Sequence, residues 1–95
     1  MISFAIRMKF AQKDRAEVNE LLLKLAEASR QEPGCVSYIP HRVEGDPDTV
    51  LIYEQYADAA AEEAHRKTQH FKKYAVGGLF QKMLERNRED LSALV

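Results

Sequence analysis

The first ten residues alternate between apolar side chains and polar or small ones. The apolar positions recur at every second residue: Ile2, Phe4, Ile6 and Met8. On an extended chain these four side chains share one face, whereas Ser3, Arg7 and Lys9 fall on the other. Because such alternation is typical of a half-buried strand, the pattern predicts a strand over residues 2–10.

The spacing of apolar residues then changes to that of a helix. They recur three or four positions apart: Val18, Leu21, Leu22, Leu25 and Ala28. Charged residues fill the opposite side, so the pattern predicts an amphipathic helix over residues 14–31. We expect Asp14 to cap its N-terminus, with Glu17 completing a capping box. Pro33 and Gly34 should end the helix, since proline cannot continue it and glycine accepts turn geometry.

Two further extended segments are predicted, at residues 35–44 and 49–56. Both carry apolar side chains on both faces, and the second is rich in β-branched and aromatic residues. The polar residues 45–48 read as a turn, so the two segments should form an antiparallel hairpin. Pro40 has no backbone N–H to donate, which favours an edge or bulged position for the first of these strands.

The second half of the chain is predicted to be mainly helical. Asp58 should cap a short helix that extends to about Lys67, and Thr68 should cap a further turn at residues 69–74. A later apolar stripe predicts a helix that ends near Asn87, and it consists of Leu79, Phe80, Met83 and Leu84. The alternating tail at residues 90–95 is predicted to be a fourth strand.

The resulting order, β-α-β-β-α-(α)-β, is the split β-α-β pattern of ferredoxin-like α+β folds. It predicts one domain over residues 1–95, with a four-stranded antiparallel sheet covered by helices on one side. The other side of the sheet would be left bare, although apolar side chains point to it. An apolar face of this kind usually needs a partner, so we expect a homodimer in which two sheets pack face to face.

Composition narrows the functional classes without identifying one. Apolar residues make up 45% of the chain and charged residues 31%, which suits a folded soluble domain. The net charge of −1 argues against nucleic acid as a partner, and no apolar run approaches the ~20 residues of a membrane helix. A single cysteine, Cys35, and an N-terminus without the layout of a secretory signal favour a cytoplasmic location.

Two histidines are the main candidates for chemistry. His65 and His70 lie near the apolar side of the predicted helices, where they are either ordinary core or rim residues or general bases. Several other side chains could join them in a pocket between sheet and helices: Tyr38, Tyr53, Glu54 and Tyr74. An apolar wall with a few polar groups is what a small-molecule pocket requires.

Other reactive side chains have competing interpretations. Glu54 is either a general base whose pKa is raised by burial, or the partner of Arg42 in a salt bridge across the hairpin. Glu62 and His65 have the spacing found in di-iron sites, but only one such unit is present, so we expect no metal site. Cys35 is interpreted as a small buried apolar residue.

An ordered series of short motifs resembles the antibiotic biosynthesis monooxygenase (ABM) family. The series runs through Glu32-Pro33-Gly34-Cys35, Tyr38, Asp46-Pro47-Asp48, Tyr53-Glu54-Gln55-Tyr56, His65, Thr68, His70-Phe71 and Tyr74. The resemblance covers nearly the whole chain. It implies a dimeric α+β barrel with a pocket in each subunit between sheet and helices. The chain departs from the family in having no tryptophan, and Tyr56 stands where many relatives carry one.

The resemblance implies a monooxygenase that needs no metal, flavin or other cofactor, as in family members that oxidise phenols or quinols with O₂. The leading hypothesis is a small aromatic, quinol-like or enolisable substrate, with His65 or His70 as the base. The residues expected to bind and orient it are Tyr38, Arg42, Tyr53, Glu54, Phe71 and Tyr74. Two alternatives stay open: an isomerase or mutarotase of a small polar or phosphorylated metabolite, and a non-catalytic dimer that holds a small molecule. The haem-degrading branch resembles this chain less, because its pocket combines histidine with tryptophan and asparagine.

Overall fold

The computed structural model of the protein describes residues 1–95 and contains four strands and three main helical segments. The strands are β1 (Ile2–Lys9), β2 (Cys35–Val43), β3 (Asp46–Tyr56) and β4 (Glu85–Leu91). The helices are α1 (Arg15–Ser29), α2 (Ala59–Arg66) and a short α3 (Phe80–Lys82). A 3₁₀ turn (Gln12–Asp14) precedes α1, and a π-helix (Phe71–Leu79), called the π segment below, precedes α3.

The strands form one antiparallel sheet in the order β2-β3-β1-β4. This arrangement confirms the ferredoxin-like α+β fold with its four-stranded sheet. The strand that contains Pro40 lies at one edge, as its missing donor requires. The β2–β3 hairpin is tighter than predicted, because β3 begins at Asp46. Only Glu44 and Gly45 remain in the loop, and Gly45 adopts a left-handed conformation with φ of 80°.

The core lies between the sheet and the helices, and the alternation in β1 places its apolar residues there. Phe4, Ile6 and Met8 are all buried, opposite the helical stripe of α1. The remaining large core side chains come from every layer of the fold: Phe10, Val18, Leu22, Leu25, Tyr38, Val50, Ile52, Tyr56 and Leu79. Each fully buried apolar side chain stabilises the fold by about 1.5–3 kcal/mol relative to an exposed one. No helix is long and apolar enough to cross a membrane.

A fourth strand is present near the C-terminus as predicted, but the predicted boundaries of the last helix and of this strand are wrong. The chain leaves its helical conformation after Lys82, and the segment predicted to be the end of a helix is instead β4. That strand pairs along the whole free edge of β1, from Lys9 opposite Glu85 to Ser3 opposite Leu91. Residues 92–95 have no regular structure. A strand made almost entirely of charged residues shows no apolar alternation, so pairing with the exposed edge of β1 decides its conformation rather than propensity.

Helix capping follows the sequence at two of three predicted positions. The Asp58 side chain accepts a 2.8 Å hydrogen bond from the backbone N–H of Ala61, and Thr68 accepts one from Phe71. The Asp14 side chain makes no capping bond, and its N–H donates to the carbonyl of Ala11 in the 3₁₀ turn, so Glu17 does not complete a capping box either. The predicted turn at residues 69–74 is replaced by the π segment. Its backbone hydrogen bonds join residues five positions apart, and the segment includes Gly77 and Gly78.

Candidate active site

A cavity of about 490 Å³, counting its open mouth, lies between the inner face of the sheet and the helical layer. Ten of its sixteen lining residues are hydrophobic, and Phe4, Ile6 and Ile52 form its floor. The π segment and α3 supply the facing wall with Phe71, Ala75, Leu79 and Phe80. The other six lining residues are charged or titratable: Glu54, Glu62, His65, Arg66, Arg86 and Arg88. A mostly apolar cavity with a few polar groups is suited to a small aromatic or apolar ligand.

His65 projects from the last turn of α2 into a tightly enclosed position and is only 6% exposed. The rings of Tyr56 and Phe71 lie with their centroids 5.2 Å from its own, and that of Tyr38 lies at 5.8 Å. Burial lowers the pKa of His65, although the nearby carboxylate of Glu32 opposes the shift. The imidazole is therefore neutral near pH 7.

Glu32 holds both histidines from the turn that follows α1. Its Oε2 lies 2.8 Å from Nδ1 of His65 and 2.5 Å from Nε2 of His70. A carboxylate only accepts hydrogen bonds, so both of these ring nitrogens must donate. With its proton on Nδ1, neutral His65 has an unprotonated Nε2 on the other side of the ring. Glu32 thus fixes both the orientation and the tautomer of His65.

The unprotonated nitrogen of His65 is directed toward Glu54. Its Nε2 lies 3.8 Å from Oε1 of Glu54, which is 3% exposed and accepts a 2.7 Å hydrogen bond from the Tyr56 hydroxyl. Burial raises the pKa of the Glu54 carboxyl to about 7, and the Tyr56 hydrogen bond and the positive charge of Arg88 only partly oppose it. Two groups able to exchange protons near neutral pH therefore meet in the cavity wall.

The predicted salt bridge between Glu54 and Arg42 is wrong. Arg42 is exposed, and its guanidinium donates to Oδ1 of Asn19 on α1 at 2.6 Å. The register explains the separation: Arg42 pairs with Val50, whereas Tyr38 pairs with Glu54. Four residues along a strand span roughly 13 Å, which places Arg42 far from the carboxyl group.

Three arginines line the exposed side of the cavity: Arg66, Arg86 and Arg88. The Arg88 guanidinium lies 3.9 Å from the centroid of the Phe4 ring and donates to Glu62 at 3.0 Å. Arg86 lies 5.6 Å from the ring of Phe80. The sequence analysis missed Arg86 and Arg88, because their segment was predicted to be a helix end. Once the segment is known to be a strand, its period of two places Arg86 and Arg88 on one face.

The structure brings together some of the predicted site residues and separates others. Tyr38, Glu54, His65 and Phe71 line the cavity, and His70 joins them through Glu32. The other three predicted residues, Arg42, Tyr53 and Tyr74, do not line it.

Strand and helix geometry explain these positions. Tyr53 precedes Glu54 in β3 and therefore points to the opposite face, where it pairs with Ala5 and Ile39. Tyr74 lies on the other side of the π segment, beside a surface depression lined by α1 residues.

The fold and the cavity define a ferredoxin-like α+β domain of the dimeric α+β barrel kind, with a largely apolar cavity under its sheet. The chain belongs to the antibiotic biosynthesis monooxygenase family, whose model matches residues 1–76. The members of this family are named as monooxygenases. No curated protein matches the chain.

Solved structures agree with this membership. A protein from Bacteroides thetaiotaomicron that is named for the same family is 32% identical, with a TM-score of 0.92 over 99% of this chain and 90% of that one. A Pseudomonas aeruginosa protein is 26% identical, with a TM-score of 0.91 over 99% and 94% of the two chains. A Nitrosomonas europaea protein named for the family is 21% identical, with a TM-score of 0.92 over the full length of both. The last similarity bears on the fold alone.

Proposed function

We propose that the protein is a cofactor-independent monooxygenase that acts on a small aromatic, quinol-like or enolisable substrate in this cavity. The observation that supports it best is the position of His65, whose ring is held by Glu32 through Nδ1 while Nε2 faces the cavity side. This is the arrangement of a general base with an orienting carboxylate. The apolar walls supply the dry surroundings that favour charge transfer within a bound substrate.

The first step is deprotonation of the substrate. Nε2 of His65 removes a phenolic or enolic proton, and the imidazolium that forms is stabilised by the Glu32 carboxylate 2.8 Å from its Nδ1. The substrate anion lies in the apolar part of the cavity, against the rings of Phe71 and Phe80. Arg86, in place of the predicted Arg42, is the cation best positioned to attract the negative charge from the exposed side.

The oxidation uses only electrons of the substrate. The anion gives one electron to O₂, and the two radicals combine to form a peroxide on carbon. The imidazolium of His65 returns its proton to this peroxide, which gives a hydroperoxide and neutral His65. A base then removes the remaining hydrogen of that carbon while the O–O bond breaks, and the departing hydroxide takes up this proton, which leaves a carbonyl group and water. For a methylene substrate the balance is R₂CH₂ + O₂ → R₂C=O + H₂O. The protein needs to supply a base, an orientation and an apolar environment, and the cavity offers all three.

Oxygen uptake tests this proposal. The metal-stripped protein would be tested with quinols, anthrones and catechols in an oxygen electrode, without added flavin or metal. We expect enzyme-dependent uptake that falls by about 10²–10⁴-fold in His65→Ala. Lys67→Ala is the control, since Lys67 follows the same helix, is exposed and does not line the cavity, and it should keep the full rate. Full activity in His65→Ala, or uptake only after a cofactor is added, would contradict the proposal.

A second candidate function is favoured by the pairing of His65 with Glu54. Two proton-exchanging groups 3.8 Å apart are suited to moving a proton between neighbouring carbons of an isomerase substrate, without oxygen. Formation of an isomeric product under nitrogen would support this function. Turnover that requires oxygen, with no isomer formed under nitrogen, would support the monooxygenase.

The bare face of the sheet supports a homodimer as the working form. Ile39, Tyr53 and Ala5 stand side by side across three strands on this face, and Leu51 lies in the next row. Ile39 is 42% exposed in the isolated chain. Light scattering should give twice the 10.9 kDa mass of one chain. Leu51→Glu should reduce the measured mass to that of a monomer. Val76→Glu, at an exposed apolar site on the π segment, should leave the mass unchanged.

A further inference from the structure

Three side chains from distant parts of the chain direct ligand atoms at one point beside the cavity. Glu32 comes from the turn after α1, His65 from the end of α2, and His70 from the residue that precedes the π segment. Their nearest ligand atoms all lie within 4.8 Å of one another. The cluster is largely shielded, since the three side chains are 12%, 7% and 20% exposed. Only the fold brings these residues together.

Two imidazoles and one carboxylate form a donor set for a divalent transition metal. Zinc binds such ligands at about 2.0–2.2 Å, so the ligand atoms of a tetrahedral site lie about 3.3 Å apart. The present separations are 2.8 Å from Glu32 to His65 and 2.5 Å from Glu32 to His70. A change of less than about 1 Å in these two separations would therefore make room for an ion. Three protein ligands would leave the fourth position to water.

A second carboxylate, that of Glu54, lies near the other ring nitrogen of His65. A histidine that binds a metal through one ring nitrogen usually donates its other N–H to a carboxylate or carbonyl group. If Nδ1 of His65 binds an ion, its Nε2 carries the proton, and this atom lies 3.8 Å from Oε1 of Glu54. A shift of less than about 1 Å would bring this N–H within hydrogen-bond distance of Glu54, as an outer partner to the three inner ligands.

We propose that Glu32, His65 and His70 form a binding site for one divalent transition-metal ion, such as Zn²⁺. This departs from the expectation of no metal site, which considered the sequence spacings of His65 with His70 and with Glu62. Glu62 is instead bonded to Arg66 and Arg88. Occupancy of the site has a chemical consequence: an ion on Nδ1 leaves the proton on Nε2, so His65 can no longer accept one from a substrate. Metal binding and the proposed base role of His65 exclude each other. The site itself does not depend on the proposed oxidation.

Calorimetry with Zn²⁺ tests the site. The full chain, stripped with chelator and dialysed, would be titrated with zinc sulfate, and we expect one ion per chain. Glu32→Gln and His70→Gln should each raise the dissociation constant by at least about ten-fold. The protein has three histidines, so His41→Gln is a matched control that should leave binding unchanged. Circular dichroism would verify that each variant folds.

A second measurement needs no variant. In a zinc titration followed by NMR of the wild-type chain, the imidazole resonances of His65 and His70 should move together, and those of His41 should stay. Absence of saturable binding would overturn the proposal. So would a dissociation constant unchanged in both ligand variants, or movement of the His41 resonances alone.

Discussion

The two ends of the cavity are both rich in charged side chains, but they are built differently. At the α2 end, His65 and Glu54 are 6% and 3% exposed, and their protonation is controlled by burial and by one or two defined partners. At the β4 end, Arg86 and Arg88 lie on a strand whose residues are all exposed, where water and salt weaken each charge. The comparison teaches that a titratable or charged side chain affects the reaction more when it is buried and held by defined partners than when it is exposed to water. Substitutions at the α2 end should therefore have larger effects than those at the β4 end.

Glu32→Gln should give the largest effect among residues that do not themselves contact the substrate. Glutamine can still accept a hydrogen bond from Nδ1 of His65, but it cannot stabilise the imidazolium by charge. A charge-assisted hydrogen bond contributes about 1.5–3 kcal/mol, so kcat should fall about 10- to 100-fold with little change in KM. Steady-state oxygen uptake measures both constants.

The matched control for Glu32→Gln is Glu63→Gln. Glu63 lies on α2 and is exposed, with only a surface ion pair to Lys67. Its substitution should leave kcat unchanged. Equal losses in the two variants would show that overall charge, not the hold on His65, is responsible.

Gly34→Ala should act on the same end of the cavity through packing. A Cβ at this position would overlap the Cβ of Ala61 on α2, in the turn that also contains Glu32. Such overpacking typically costs about 1–3 kcal/mol of stability, which thermal or urea denaturation would measure. It should also lower kcat, because the turn and α2 can no longer approach closely enough for Glu32 to hold His65.

Ala61→Gly tests this packing explanation. Introduced together with Gly34→Ala, it removes the overlap, so the double variant should recover part of the lost stability and activity. Additive losses in the double variant would mean that the close approach of these two backbones is unimportant.

Arg86→Met should give the smallest effect. Methionine keeps the packing against Phe80 and removes the charge. An exposed charge pair contributes about 0.2–1 kcal/mol, so KM should rise only about two- to five-fold, with kcat nearly unchanged. Because salt screens exposed charges, the KM of the wild-type protein at high salt should approach that of Arg86→Met. A loss of kcat as large as that of Glu32→Gln would remove the distinction between the two ends.

The parts of this molecule that the sequence predicts well are those that a local pattern determines. Alternation in β1 identified Phe4, Ile6 and Met8 as core residues, and Pro40 placed its strand at an edge. The same period of two could have separated Tyr53 from Glu54, because neighbours in a strand point to opposite faces.

What the sequence could not predict depends on distant contacts. Glu32 and His65 are 33 residues apart, and no spacing rule links a turn residue to the end of a later helix. Strand β4 has no apolar alternation, so only the free edge of β1 makes it extended, and Arg86 and Arg88 could not be placed without it. The π segment likewise has no local pattern of its own that we can recognise.

The most direct test of the account is to locate the proton on the imidazole of His65. Long-range ¹⁵N–¹H NMR of the metal-free protein near neutral pH distinguishes a protonated ring nitrogen from an unprotonated one. If Glu32 orients His65 as a base, Nδ1 carries the proton and Nε2 is unprotonated, and Glu32→Gln weakens that preference. A proton on Nε2 in the wild-type chain would contradict the central claim, because His65 would then have no free electron pair to offer a substrate in the cavity.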